Sequence, residues 1–360
     1  MKITKFFALA LAALSFVGCG GETPEQGVQP SGDAVLVANN NSVEVNTPIE
    51  FTVTAADGTD LTADAVIYDK SHDYVVVENP YTPTMDGEYE FYAVVGNIIT
   101  PTIKVNVVPT IPALPEDAQP ANTSFNHRIL LVDHTGNTCG YCPKMMEALK
   151  TVSETGDYHS KYYEAMAHTY STGDPAYSGA ASVVSNHFGV NAYPTLTYNF
   201  YHGTTSSYND AHIMGQIDAL WKAEGADAGI AAAVTVASTS VIVNTEVKAA
   251  VANDYHITAW LLEDGIYAKQ TNASAEWMST HNNAIRQRVV SDDITGVDLG
   301  AIAVGETKST ALTLKIVGNK WVRENFKVML IVSAKNANGK FDVANVVVCP
   351  AYDVVTYDYK

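Results

Sequence analysis

The 360-residue sequence predicts a multidomain protein: a β-sandwich, then an α/β domain, then a C-terminal β-sandwich. Three observations support this fold class. Residues 34–108 and 226–360 contain short runs of β-branched and aromatic residues that are separated by turn signals. Residues 122–225 instead alternate apolar runs with segments of helical period, which is typical of a sheet covered by helices. Four prolines between positions 109 and 120 predict an extended linker over residues 109–121.

The first β-domain is indicated by alternation and by its turns. Apolar and polar residues alternate from Val43 to Val53, and a turn signal at Asp86-Gly87 precedes the aromatic run that begins at Tyr89. The segment 86–91 resembles the tyrosine corner of immunoglobulin-like sandwiches. The resemblance implies an immunoglobulin-like β-sandwich over residues 34–108, which would serve as a spacer or a binding module.

The N-terminal residues predict export. A positive start is followed by an apolar run from Phe6 to Val17, which is too short to span a bilayer and suits a signal peptide. The ending Phe16-Val17-Gly18-Cys19 resembles a bacterial lipobox, which implies a lipidated Cys19. Residues 1–18 are then the signal peptide and 19–33 a lipidated tether. The alternative is an ordinary cleaved signal with a chance cysteine.

Composition restricts the partners. Hydrophobic residues make up 47% of the chain and charged residues 17%, which is typical of a folded protein. The formal net charge of −18 has the wrong sign for binding phosphate backbones, so we expect no nucleic acid partner. Acidity by itself is consistent with a soluble exported domain.

One motif carries chemistry. Cys139 and Cys142, separated by Gly140 and Tyr141, follow the apolar run 129–132 and precede a segment of helical period. A helix start stabilises negative charge and lowers the pKa of a thiol, and the thiolate is the attacking species. We expect Cys139 to attack and Cys142 to resolve the mixed disulfide. Taken alone, the spacing is also compatible with half a zinc site or a structural disulfide.

Two further segments resemble thioredoxins. Asp133 ends a strand-like run six residues before Cys139, where the family has a buried acid; the alternative is an acid that turns the chain. Residues 188–196 resemble the segment that carries a cis proline, which implies a cis Tyr193–Pro194 bond. The resemblance implies a thioredoxin-like domain over residues 122–225, with clients contacting Gly140, Tyr141, Tyr193 and Pro194. Thr138 and Pro143 depart from the family pattern.

The whole arrangement resembles the twenty-eight-kilodalton outer-membrane lipoprotein family, whose members carry a C-G-Y-C thioredoxin-like domain. The segments 261–265 and 281–286 carry the C-terminal part of this resemblance. It implies a lipid anchor in the outer membrane of the cell envelope, on either its periplasmic or its surface face.

Other residues favour no second chemistry. A zinc site needs about four ligands, and His134, His168 and His187 supply no second paired motif, so we expect no metal. No cofactor is needed beyond the redox-active disulfide. His281 with Arg286 is expected to serve a hairpin or packing role, and Cys349 to be a buried strand thiol.

These observations predict a lipid-anchored thiol–disulfide oxidoreductase or isomerase that acts on thiols and disulfides of envelope or surface proteins. The alternative is a non-catalytic surface adhesion or interaction lipoprotein in which Cys139–Cys142 is a structural disulfide.

Overall fold

The computed structural model describes residues 33–289 and 293–360. The predicted signal peptide, the Cys19 lipidation site and residues 19–32 of the tether lie outside the described residues. Within these two ranges, no helix has the length and apolar character needed to cross a membrane.

The chain divides into two compact units. Among the described residues, the first unit comprises 33–41, 49–81 and 89–105, and the second comprises 42–48, 82–88 and 106–360 without the undescribed gap. The strands in the N-terminal third of the chain are β1 (Ala34–Ala38), β2 (Ser42–Glu44), β3 (Phe51–Ala55), β4 (Val66–Asp69), β5 (Val75–Val77), β6 (Gly87–Val95), β7 (Ile98–Ile99) and β8 (Ile103–Val108).

The first unit is built from antiparallel strands whose alternate residues are buried. β1 pairs with β3, and β4 pairs with both β5 and β6. The buried positions of β1 and β3 are every second residue, as expected for strands with one face on a core. Phe51 and Phe91 meet in that core with ring centroids 4.8 Å apart.

The second unit contains the remaining strands and the three α-helices of the described chain. The strands are β9 (Ile129–Thr135), β10 (Tyr162–His168), β11 (Thr195–Tyr198), β12 (Thr204–Thr205), β13 (Ala228–Val236), β14 (Ser240–Ala249), β15 (Asn253–Glu263), β16 (Ile266–Tyr267), β17 (Thr280–His281), β18 (Ala284–Arg288), β19 (Val297–Ile302), β20 (Thr307–Lys315), β21 (Phe326–Lys335), β22 (Phe341–Pro350) and β23 (Val354–Val355). The helices are α1 (Cys142–Glu154), α2 (Gly179–His187) and α3 (Asp210–Leu220).

Two sheets form the body of this unit. The larger has nine strands in the order β12-β11-β9-β10-β18-β15-β21-β22, with β19 also paired to β15. The smaller has the order β20-β14-β13-β23. Apolar residues of both sheets, such as Ile230, Val243, Ile257 and Leu330, form one core between them. Such face-to-face packing is that of a β-sandwich.

The helices cover one end of the large sheet. Leu131 of β9 packs in one cluster with Met145 of α1 and Ile213 of α3. Val132 packs in another cluster with Val184 of α2. Because neighbouring residues of a strand point to opposite faces, α1 and α3 lie on one face of β9 and α2 lies on the other.

The predicted fold class is wrong. Strands make up 42% of the described residues and helices 14%. No separate α/β thioredoxin-like domain is present in the described chain, because β9, β10 and β11 belong to the same sheet as the C-terminal strands. The junction is the parallel pairing of Met166 in β10 with Ala284 in β18. The predicted middle and C-terminal folds therefore form one β-sandwich-like unit, since edge pairing between distant strands leaves no trace in local periodicity.

Candidate redox site

The two cysteines of the motif are joined by a disulfide at the start of α1, and their Cα atoms are 5.5 Å apart. Cys142 is the first residue of the helix, and Pro143 occupies the first turn without breaking it. No acidic side chain lies in that turn, and the residue before the helix makes no side-chain cap. The positive end of the helix dipole is therefore left to act on the cysteine sulfurs.

The loop before Cys139 is held by Tyr170 and Asp174, which lie in the segment between β10 and α2. A Cβ at Gly136 would lie 2.6 Å from Cβ of Tyr170, so only glycine fits there. The Asn137 amide donates to Oδ2 of Asp174 at 2.7 Å, and the Cys139 amide donates to the Gly136 carbonyl at 3.0 Å. These contacts turn the chain from the end of β9 into the motif.

A buried imidazole–carboxylate pair stands behind this loop. Nδ1 of His168 lies 2.8 Å from Oδ2 of Asp174, and neither side chain is exposed. Although burial opposes it, hydrogen bonds from His168 and two backbone amides lower the pKa of Asp174 to about 2. The His281 ring meets His168 edge-on at 4.7 Å, and burial together with this neighbour lowers the pKa of His281 to about 4.

Asp133 is fully buried, and neither carboxylate oxygen has a hydrogen-bond partner among the described residues. Burial raises the pKa of Asp133 well above its usual range, and the nearby Glu164 raises it further. Alternation along β9 puts Asp133 on the same face as Leu131, which packs against Met145 of α1. Asp133 therefore lies on the α1 face of β9, two residues nearer than Leu131 to the end that leads to Cys139.

Glu164 is a second acid, half-buried, that no sequence motif indicated; its Oε1 is buried without a hydrogen-bond partner among the described residues. It pairs in register with Leu131, so both side chains share the α1 face. Burial raises the pKa of Glu164 to about 7, although Lys327 opposes the shift. An acid inside β10 was the available signal, whereas Asp133 was identified by its resemblance to the buried acid of thioredoxins.

The Tyr193–Pro194 peptide bond is cis, as predicted. Thr195, which follows, pairs with His134 near the end of β9 that leads to the motif. The Tyr193 hydroxyl lies 3.0 Å from Oγ1 of Thr169, and its ring meets Tyr170 at 5.4 Å. Because Tyr170 also contacts the backbone at Gly136, the cis-proline segment and the motif lie beyond the same end of β9, a strand inside the sheet.

The motif itself is unevenly exposed. Tyr141 is 65% exposed, whereas Cys139 is 2% exposed and Cys142 is completely buried. The Gly140 carbonyl accepts a hydrogen bond from Nδ2 of Asn272 at 3.2 Å, and Nε2 of Gln270 donates to the Cys139 carbonyl at 3.0 Å. No feature of the sequence pointed to these two amides, since they lie more than 130 residues away in the chain.

The remaining candidates have structural partners. His134 bonds through both ring nitrogens to Ser185 and Thr197, and burial lowers its pKa to about 3. Arg286 donates to Glu263 at 2.6 Å in a buried ion pair. Cys349 is a buried thiol outside any disulfide, and its Sγ donates to the carbonyls of Pro350 and Asp353. Across residues 33–289 and 293–360, no three histidine, cysteine or acidic side chains are grouped to hold a metal ion.

No protein-family model and no curated protein matches the chain. Among solved structures, HBP35 of Porphyromonas gingivalis is similar over 64% of this chain and 77% of that chain, with a TM-score of 0.51 and 15% identity. A Corynebacterium diphtheriae protein described as membrane anchored covers 92% and 60% (TM-score 0.22, 9% identity). Domains 4-9 of surface layer protein SbsC cover 90% and 51% (TM-score 0.19, 9% identity). Only the first likeness, whose TM-score exceeds 0.5, informs the fold.

Proposed function

We propose that Cys139–Cys142 is the redox-active disulfide of a thiol–disulfide exchange protein that acts on envelope or surface proteins. The observation that carries the proposal is the position of this disulfide at the uncapped start of α1, with the buried acid Asp133 on the strand face behind it. A helix start favours a thiolate, and a neutral buried acid can supply a proton to a leaving sulfur.

The exchange proceeds in two displacements. A client thiolate attacks Sγ of Cys139, a new S–S bond forms, and Cys142 leaves as a thiolate that Asp133 protonates. A second client thiolate then attacks the client sulfur of the mixed disulfide and releases Cys139 as a thiolate. The client dithiol loses two electrons and becomes a disulfide, while Cys139 and Cys142 gain them. Run backwards, the same steps reduce a client disulfide.

In this proposal Tyr141 presents the exposed surface beside the disulfide, and Gly140, Tyr193 and Pro194 contribute backbone edge to a client. The placement of Tyr193 and of the loop before Cys139 against the same residue, Tyr170, supports this assignment. No metal or organic cofactor takes part in the steps, because both electrons reside in the sulfur atoms.

A Cys142→Ala variant tests the proposal in native cells. Without its resolving partner, Cys139 should accumulate mixed disulfides with clients, visible as adducts that dithiothreitol removes. The Cys139→Ala/Cys142→Ala double variant is the control and should show none. Absence of adducts, together with a reduction potential below about −300 mV, would mark a structural bond and refute the exchange function.

The second candidate is an adhesion or interaction lipoprotein with a structural disulfide. The near-complete burial of both sulfurs favours it, because an exchanging sulfur must meet a thiolate. Loss of the disulfide in the double variant should then leave partner binding intact and lower only the stability.

We also propose a lipid anchor on Cys19 and an outer-membrane location. The apolar run and the lipobox-like ending support the anchor, and the resemblance to the twenty-eight-kilodalton lipoprotein family supports the location.

A further inference from the structure

We propose that residues 270–274, which we call the strap, determine which thiols can reach Cys139. Small thiols react with the disulfide beneath the strap, whereas a protein thiol reacts only after the strap has moved away. The inference rests on the proposed exchange function and adds a selectivity to it.

The strap runs along the whole motif and continues onto α1. Nε2 of Gln270 donates to the carbonyls of Cys139 at 3.0 Å and of Gly136 at 3.4 Å. The Thr271 amide donates to the Asn137 carbonyl at 2.8 Å. These bonds engage the backbone carbonyls of the loop that leads to Cys139 and of Cys139 itself.

Further along, Nδ2 of Asn272 donates to the Gly140 carbonyl at 3.2 Å, and Oγ of Ser274 donates to Oε1 of Glu147 at 2.5 Å. Glu147 lies in the second turn of α1. The strap therefore contacts three consecutive parts of the site: the loop before Cys139, the dipeptide between the cysteines, and the helix after them.

The exposure pattern of the motif agrees with a segment that lies along it. Thr138 and Tyr141 are exposed, yet Cys139 between them is 2% exposed. The contact at Gly140 is close enough that a Cβ there would lie 2.9 Å from Nδ2 of Asn272. A client polypeptide needs this backbone surface when its sulfur approaches Cys139, whereas a small dithiol needs only a path to the sulfur atom.

The strap can move without breaking a sheet. Its base is anchored, because the Ala268 amide donates to the Ser279 carbonyl at 2.9 Å and His281 bonds the Ala268 carbonyl at 3.0 Å. Between these anchors residues 271–274 are exposed and lie in no strand. Opening would therefore break the bonds to the motif and to α1 and leave the base in place.

The test uses the strap variants Asn272→Gly and Ser274→Ala in the full chain. Asn272 has a positive φ of 58°, so glycine keeps the backbone and removes only the amide that holds Gly140. The matched control is Asn46→Gly, since Asn46 also has a positive φ, of 65°, and is exposed outside the strap. Urea midpoints establish that each variant is folded.

The measurement is the rate of reduction of the Cys139–Cys142 disulfide by dithiothreitol and by reduced, unfolded lysozyme. We expect the lysozyme-to-dithiothreitol rate ratio to rise about fivefold in Asn272→Gly, the factor that one lost hydrogen bond contributes. Ser274→Ala should shift the ratio in the same direction, and Asn46→Gly should leave it unchanged.

Two failures are distinguishable. If the disulfide reacts with both reductants but the ratio stays within about twofold of wild type in both strap variants, the strap does not select thiols and the inference is overturned. If neither reductant acts on any variant, the exchange function itself fails, and the strap is only a packing segment.

Discussion

Replacing Asp133 by leucine should stabilise the oxidised protein, and by more at neutral than at acid pH. The side chain is fully buried, and neither carboxylate oxygen has a partner among the described residues. A buried polar group without a hydrogen bond costs about 1–3 kcal/mol. Leucine has a similar branching and needs no partner, so Asp133→Leu should recover about this amount at pH 4.

Ionisation adds a contribution that depends on pH. Burial raises the folded-state pKa of Asp133 above the unfolded value of about 3.9. Between these two pKa values the unfolded chain has lost the proton and the folded chain keeps it, so stability falls as the pH rises. The slope is about 1.4 kcal/mol per pH unit. The advantage of Asp133→Leu should therefore grow as the pH rises above 4, by at most about 1.4 kcal/mol per pH unit, for as long as the folded protein keeps the proton.

Urea denaturation of the oxidised protein at pH 4, 5 and 6 measures this difference, with an unchanged m-value as evidence that the same surface is exposed. Asp133→Asn is the matched control, because it keeps an unpaired polar group but does not ionise. The free energy of unfolding of Asp133→Asn should match that of the wild type at pH 4. Its advantage over the wild type should then grow as the pH rises, because the wild-type carboxyl ionises and the amide does not. Glu164 is present in all three proteins, so its own titration largely cancels.

The reasoning is refuted if Asp133→Leu is no more stable than the wild type at any pH, or if the leucine and asparagine variants show the wild-type pH slope. A stabilised Asp133→Leu that also forms more long-lived mixed disulfides would link the cost of this buried acid to the proposed proton transfer.

Three further outcomes are expected. Arg286→Met should lower the free energy of unfolding by about 3–5 kcal/mol, because it leaves the buried Glu263 carboxylate without its ion-pair partner. In urea titrations, the double variant with Glu263→Leu should recover most of this loss. A loss below about 1 kcal/mol in Arg286→Met would mean that the pair behaves as an exposed one. Cys349 should resist iodoacetamide in the native protein at pH 8, since burial raises its pKa to about 12. Mass spectrometry should find Cys349 modified only in urea. Labelling in the native state would contradict its burial. Cys19→Ala should abolish incorporation of labelled palmitate in cells while Cys349→Ala retains it, and persistent labelling would exclude the predicted lipid anchor.

How far the site could be predicted depended on distance along the chain. The motif at the start of α1 and the acid six residues before Cys139 are separated by one loop, and the cis bond before Pro194 belongs to a short recognisable segment. The helix start follows from local periodicity, whereas the acid and the cis bond were predicted because these short segments resemble those of thioredoxins. Glu164 was missed although its position in an apolar strand was visible.

The prediction of the fold class was wrong because it depended on contacts between residues far apart in the chain. Periodicity distinguished the helical segments from the strands in residues 122–225, but it contains no information on which strand edges pair. The pairing of β10 with β18, which joins residues 166 and 284, merged two predicted folds into one sheet. Strand edges are satisfied by any backbone partner, so only burial in the complete structure selects one.

The sequence by itself determined that Cys139 and Cys142 precede a helix, and its resemblance to thioredoxins predicted a buried acid at Asp133 and a cis Tyr193–Pro194 bond. The tertiary structure decided how open that chemistry is. It placed the amides of Gln270 and Asn272 over the motif from 131 and 132 residues away and buried Cys139. The sequence states each residue type directly, whereas the access of a thiol to a sulfur atom depends on which distant segment of the chain packs over that sulfur.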